Sequence, residues 1–149
     1  MKKVEVRKLD IRAILPTRNN STDAGIDLYA LEDTFVPFEE TIKVRTGIAV
    51  NVPSGYVGKI FSRSSLASKG LSVDAGVIDA GYNGECCVVL HNLTHHHDHN
   101  MVFKSGYHIR RGDKIAQLVI FPIETPEVIE VTENWTSERG DRGFGSSGV

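Results

Sequence analysis

The chain has little sulfur, a single tryptophan and no long apolar run, and each shortage narrows what it can be. Its 149 residues include two cysteines, Cys86 and Cys87. Neighbours on an extended strand point to opposite faces, so these two do not form an ordinary disulfide and the fold must close without cross-links. Such usage fits a reducing compartment, which predicts an intracellular protein, cytoplasmic or nuclear, or one made in an infected host cell if the source is viral. No stretch approaches the roughly 20 apolar residues of a membrane-spanning helix, and "MKKVEVRKLD" has no apolar run behind its lysines, so no membrane association is expected. Excess charge is missing too. With 17 Lys and Arg against 19 Asp and Glu, there is no broad basic face for duplex nucleic acid, and no nucleic-acid partner is expected. A small anion in a locally basic cleft remains open.

What the sequence does have is period-two patterning. In "TIKVRTGIAVNV" the residues Ile42, Val44, Thr46, Ile48, Val50 and Val52 share one face while Lys43, Arg45 and Asn51 share the other, which predicts one half-buried strand. Shorter runs at 4–9, 26–31, 57–61, 85–92, 101–104 and 114–121 predict further strands, separated by turn signals at "PSG", "GYNG" and "RRGD". Only "SSLASKG", 64–70, reads as helix, a turn or two ended by Gly70. The fold class is therefore all-β, a sandwich, jelly roll or barrel formed by one domain over residues 1–135. "GECCVVLHN" and "KIAQLVIFP" are more uniformly apolar than alternating, which predicts strands covered on both faces, with another subunit as a candidate second cover. Residues 136–149 read as a flexible C-terminal arm, too polar to pack a core.

Several residues have a bland reading and a chemical one. Asp79 ends an apolar run; it is either a turn former or, if the turn lines a cleft, an ionised carboxylate able to take a proton from water. Tyr82, in the turn behind it, has a flat ring and polar tip suited to a sugar. Ser64 and Ser65 after Arg63 read as a helix cap or as phosphate ligands. In the arm, Gly140 and Gly145 have P-loop spacing, but Ser146 stands where the lysine is required and no helix can follow. Even so, a solvating tail has no use for Phe144 between two glycines, nor for Arg139 and Arg142 just before it. "HHHDH", 95–99, reads as a solvated loop tip rather than a metal site, because adjacent histidines do not converge easily on one ion.

Together these segments resemble the trimeric dUTP pyrophosphatase (dUTPase) family, whose five short motifs are matched in order by "AGIDLYA", "RSSLASKG", "GVIDAGYNG", "GDKIAQL" and "RGDRGFGSSG". The resemblance implies a jelly-roll-like fold, a homotrimer with active sites shared between subunits, and Mg²⁺-assisted cleavage of dUTP to dUMP and pyrophosphate. It implies that Asp79 activates the water that attacks the α-phosphorus. Arg63, Ser64, Ser65 and Gln117 match phosphate contacts, with Asp27 supporting them from outside. Gly76 and the backbone of Cys87 match the uracil hairpin, and Tyr82 the ring on deoxyribose. Arg139, Phe144, Gly145, Ser146 and Ser147 match the closing arm. Mg²⁺ is expected on substrate phosphates and waters, with no direct protein ligand. The sequence departs from the family pattern at Ser62, Ser65, Gly81 and Arg142. Gly81 brings the hairpin closer to the related dCTP deaminases, so a deaminase or bifunctional enzyme is one alternative and a nucleotide-gated regulatory protein another. Val89 stands where those deaminases carry a catalytic glutamate, which argues against ring deamination.

Overall fold

Short apolar runs interrupted by glycine turns can build only short strands, and in the structure, a computed structural model describing residues 3–74, 76–93 and 106–143, the regular elements are almost wholly such strands. In chain order they are β1 (Glu5–Lys8), β2 (Ile26–Tyr29), β3 (Thr34–Pro37), β4 (Thr41–Val44), β5 (Ile48–Asn51), β6 (Tyr56–Phe61), helix α1 (Ser64–Ala67), β7 (Leu71–Asp74), β8 (Val77–Ile78), β9 (Val88–Asn92), β10 (Gly106–Ile109) and β11 (Lys114–Pro122). All pairings are antiparallel. A four-stranded sheet runs β2-β11-β6-β8, a three-stranded sheet β4-β9-β7, and β1 pairs with β5 and β3 with β10. Sequential strands keep changing sheets, which gives a jelly-roll-like all-β fold around one core that includes Leu28, Val36, Val44, Ile60, Leu71, Val88, Leu90 and Leu118. No helix among the described residues is long and apolar enough to cross a membrane.

The single strand expected over 41–52 is two. β4 pairs with β9 and β5 with β1, and the chain turns from one sheet to the other at Gly47, whose φ is +71°. The apolar face runs through the corner, since Val44, Thr46, Ile48, Val50 and Val52 are all buried, while Ala49 on the other side is buried too. A pattern of this kind reports which side is apolar and is blind to a change of direction. β3, β7 and β10 were not legible as strands, because four residues of mixed polarity carry too few alternations. The run at 101–104 and the histidines at 95–99 lie outside the described residues.

The register of the four-stranded sheet positions everything that follows. Residues opposite each other across antiparallel strands share a face. Leu28, Ala116, Leu118, Ile60 and Ile78 point into the core, so the outer face is made of three rows. Asp27, Gln117 and Phe61 form the first, and Val119, Lys59 and Val77 the second. Phe121 and Val57 form the third, which the β6–β8 register extends to Asp79. Phe61 and Phe121 meet edge to face with centroids 6.0 Å apart. Each is 39% exposed and Val77 is 59% exposed. Among the described residues, the cover expected over both faces of β11 is thus missing on this side. From Phe121 to Gly143 every described residue is exposed, including Val128, Ile129 and Trp135.

Gly47 is a sharp test of the corner. A Cβ there would lie 2.9 Å from both Ala13 Cβ and Leu31 Cδ1, and its φ is unfavourable for any other residue. Gly47→Ala is expected to destabilise the fold by at least about 2 kcal/mol in urea unfolding. A change under about 0.5 kcal/mol would show that the corner relaxes freely.

Candidate active site

At one corner of the outer face, Asp27 gathers two cations. Its Oδ1 accepts from Arg63 Nε at 3.1 Å and its Oδ2 from Lys114 Nζ at 2.7 Å, while Arg63 Nη1 donates to the Lys114 carbonyl at 3.2 Å. The three converge because β2 pairs with β11, and β11 with β6, just ahead of Arg63. Beside them Gln117 Nε2 donates to the Ser62 carbonyl at 3.0 Å, and the Ser62 hydroxyl accepts from the Val73 N–H at 2.8 Å, tying the start of α1 to β7. This gives the unexpected Ser62 a structural task. Ser64 and Ser65 are exposed at the mouth. The result is a cavity of about 550 Å³ lined by Gly25, Asp27, Arg63, Ser64, Ser65, Lys114 and Gln117, with Asn19, Asp23 and Ala24 at its rim. Hydroxyls, an amide and two cations held by one carboxylate make a cradle suited to a polyanion.

The hydrogen bond to Asp27 raises the Lys114 pKa above its ordinary 10.5. A raised base contributes its stabilisation fully below the unfolded pKa and loses it as pH rises through the folded one. Lys114 therefore keeps its charge through neutral pH and loses it only in alkali.

The second cluster is a forked hairpin. β7 and β9 pair from Leu71↔Asn92 to Asp74↔Val89, and there the two limbs part. The outgoing limb joins β6, with Gly58 opposite Ile78 and the Gly76 carbonyl accepting from Ile60 N at 2.8 Å. The return limb turns away, Cys86 N donating to Ile48 O at 2.8 Å. Among the described residues no backbone hydrogen bond crosses from 76–78 to 85–87, so the two limbs present backbone edges to the gap between them. Asp79, exposed, starts the turn at its tip, and Tyr82 N donates back to Asp79 O at 3.2 Å. Gly81 takes the third turn position with φ +86°, the type II geometry in which an acid would be strained. The Tyr82 hydroxyl donates to Glu85 O at 3.2 Å, and its ring lies over Gly84. Burial raises the pKa of both Cys86 and Cys87, and both are free thiols.

Asp27, Arg63, Ser64, Ser65 and Gln117 thus come together, as do Gly76, Asp79, Tyr82 and Cys87, but within one chain the two groups do not meet. Strands lie about 4.8 Å apart and rise about 3.3 Å per residue, so Asp27 and Asp79, at diagonal corners of the sheet face, are roughly 20 Å apart. Arg139 is in neither group: its Nε donates to Arg142 O at 2.9 Å in an exposed turn. Phe144, Gly145, Ser146 and Ser147 lie outside the described residues. Lys114, Glu85 and Thr46 carry contacts that pattern reading missed. Lys114 resembled any polar strand start, and Thr46 counted only as a member of an apolar face.

A jelly-roll-like fold with a basic polyanion cradle and an edge-presenting hairpin defines a class of protein that handles a phosphorylated base. The comparisons are specific: the dUTPase family model matches residues 12–148, and the chain belongs to that family. The deoxyuridine 5'-triphosphate nucleotidohydrolase of Paramecium bursaria Chlorella virus 1 is 42% identical over 150 residues, spanning all of both chains. Among solved structures, the dUTPase of Staphylococcus bacteriophage 80alpha, determined with dUPNHPP, superposes with a TM-score of 0.84 at 38% identity over the whole of both chains. A mutant dUTPase from phage phi11 of S. aureus, described with a structural Mg(II) ion, has a TM-score of 0.79 at 35% identity, covering 91% of this chain and all of that one.

The fit between Gly25 and Gln117 is testable. A Cβ on Gly25 would lie 2.1 Å from Gln117 Oε1. Gly25→Ala is expected to cost about 2 kcal/mol in the native background and under about 1 kcal/mol when Gln117 is also Ala. Equal costs in both backgrounds would mean that Gln117 does not hold that space.

Proposed function

We propose that the protein hydrolyses dUTP to dUMP and pyrophosphate in sites assembled between copies of the chain. The observation that carries this reading is that the cradle and the hairpin acid belong to opposite edges of one sheet, β2 and β8, with β11 and β6 between them. A carboxylate must be within about 3 Å of the water it deprotonates, and no adjustment of short strands closes roughly 20 Å. A second copy placed against that face brings the Asp79 of one chain to the cradle of another and covers Phe61, Val77 and Phe121. Closed rotational symmetry repeats the contact, and a homotrimer of three shared sites is the form we assign. The exposed run after Pro122, with Val128, Ile129 and Trp135 uncovered, supplies further apolar surface for a neighbour.

Within such a site the fork reads the pyrimidine by its edge. Main-chain groups at Gly76 and Cys87 pair with the uracil pattern, while cytosine would leave donors or acceptors unpaired at about 1–3 kcal/mol each. Tyr82 packs on the sugar and disfavours a 2′-hydroxyl. Arg63, Ser64, Ser65 and Gln117 hold phosphate oxygens, and Asp27 keeps Arg63 aimed. Asp79 takes the proton from water as its oxygen bonds to the α-phosphorus; the bond to the bridging oxygen breaks and pyrophosphate leaves. The arm, residues 136–149, closes over the bound nucleotide, with Arg139 on the terminal phosphate, Phe144 over the base, and Gly145, Ser146 and Ser147 on phosphates. Its ordering expels water and strengthens each charge contact inside.

The residues fit a Mg²⁺ that arrives with the substrate. Both oxygens of Asp27 are taken by Arg63 and Lys114, and among the described residues no group of three His, Cys, Asp or Glu side chains converges. The triphosphate and water would hold the ion, which supplies charge neutralisation. No carboxylate stands at Val89, so the reading keeps to phosphate chemistry.

Asp79→Asn removes the proton acceptor at nearly constant shape. It is expected to slow pyrophosphate release from dUTP about 10²–10⁴-fold, with affinity for a non-hydrolysable analogue unchanged within a few-fold. Turnover near the parent rate would reject Asp79 as the base.

A further inference from the structure

The fork has one limb fixed by sheet pairing and one held from behind by side chains. Gly76–Ile78 is laced to β6 and cannot move without the sheet. The return limb reaches β9 only at Val88, and before that it is tied to the corner at 45–48. Glu85 Oε1 accepts from the Gly47 N–H at 2.7 Å and Oε2 from Arg45 Nε at 3.1 Å. The next residue is clamped on both backbone groups, Cys86 N to Ile48 O at 2.8 Å and Cys86 O from the buried Thr46 hydroxyl at 2.7 Å. The Glu85 carbonyl in turn accepts from Cys87 N at 3.0 Å and from the Tyr82 hydroxyl. The anchor is itself held, because the Gly47 carbonyl accepts from Leu9 N at 2.8 Å and there is no room beside it for even a Cβ, which would lie 2.9 Å from Ala13 and Leu31.

We propose that Glu85 is a positioning residue that sets the width of the fork, and through it the discrimination between uracil and bulkier or differently edged pyrimidines, without touching substrate. The proposal rests on the dUTP-hydrolysis reading and deepens it. The carboxylate points away from the gap into the corner, where its side chain is 19% exposed. It acts through the backbone of Glu85 and Cys87 and through the hydroxyl of Tyr82. A relaxed return limb widens the gap by the same movement that shifts Tyr82, so fit to the base and to the sugar loosen together. Chemistry at Asp79, on the limb laced to β6, is left in place. Loss of the latch should therefore raise KM and admit a methylated base while leaving kcat nearly intact.

The test compares two substitutions in the full chain. Glu85→Gln keeps an oxygen for Gly47 at the same reach; Glu85→Asp keeps the charge but is about 1.5 Å too short. Steady-state pyrophosphate release from dUTP and dTTP is measured beside calorimetric binding of dUMP and dTMP. The Gln variant keeps the Gly47 contact but sets its amide NH2 against Arg45 Nε, so we expect a dUTP KM between those of the parent and the Asp variant, with kcat within about threefold of the parent. The Asp variant is expected to raise the dUTP KM about tenfold or more with kcat within about threefold, and to narrow the dUMP-over-dTMP preference by a similar factor. Thr46→Val, which removes the hydroxyl clamp on the same limb at nearly constant volume, should show the same KM-only signature and takes the place of Asp if that variant does not fold. Unchanged KM and base preference, or a fall in kcat at constant KM, would overturn the proposal while leaving dUTP hydrolysis standing. A parent protein that releases no pyrophosphate from dUTP, yet prefers dUMP to dTMP by a margin that Glu85→Asp narrows, would sink the activity and keep the latch.

Discussion

The register between β6 and β11 is the constraint on which the rest depends. With Gln117 opposite Phe61 and Phe121 opposite Val57, the polar row at one end of the sheet belongs to the cradle and the row at the other end leads to the hairpin. A slip of one residue would turn Gln117 into the core and Leu118 outward. That slip is prevented from inside, because Leu118, Ile60, Leu28 and Ile78 are all buried on the opposite face. Hydrophobic burial thus fixes the site indirectly: it specifies the face on which the polar groups emerge, and strand length sets the distance between them.

Charge is handled by a similar division. Asp27 holds Arg63 and Lys114 at 3.1 and 2.7 Å, so the mutual repulsion of the two cations is offset by one carboxylate between them. Such partly exposed pairs add little to overall stability. Their value is orientation, since a guanidinium held at Nε by Asp27 and at one terminal nitrogen by the Lys114 carbonyl has few rotamers left. The hairpin end has the opposite character. Asp79 is exposed and the gap beside it is lined by backbone edges.

Much of this was legible in sequence, and what was missed has physical reasons. Alternation located β4, β5, β6 and β11, and the glycine signals at 53–55 and 110–113 correspond to hydrogen-bonded turns, Tyr56 N to Pro53 O and Asp113 N to Arg110 O. The corner at Gly47 escaped because the apolar face runs through it. Asp27, Arg63 and Gln117 are far apart in the chain, and only motif resemblance linked them; no local pattern states that β2 lies beside β11. Glu85 and Thr46 were invisible for a related reason. Their partners lie about 40 residues away, and nothing in "GEC" or "VRT" announces a clamp. Gly81, which departs from the family pattern in sequence, is explained by its positive φ at the tip of the fork.

The central claim is that one chain supplies the cradle and another the hairpin acid. Its most direct test mixes two inactive proteins, Asp79→Asn and Arg63→Ala, under conditions that allow subunits to exchange, and follows pyrophosphate release from dUTP. Sites built between chains recover an intact pair in about a quarter of random combinations, so activity should return towards that fraction of the parent rate as exchange proceeds. If exchange is complete and the mixture stays as inactive as its components, each chain carries its own site and the account is wrong.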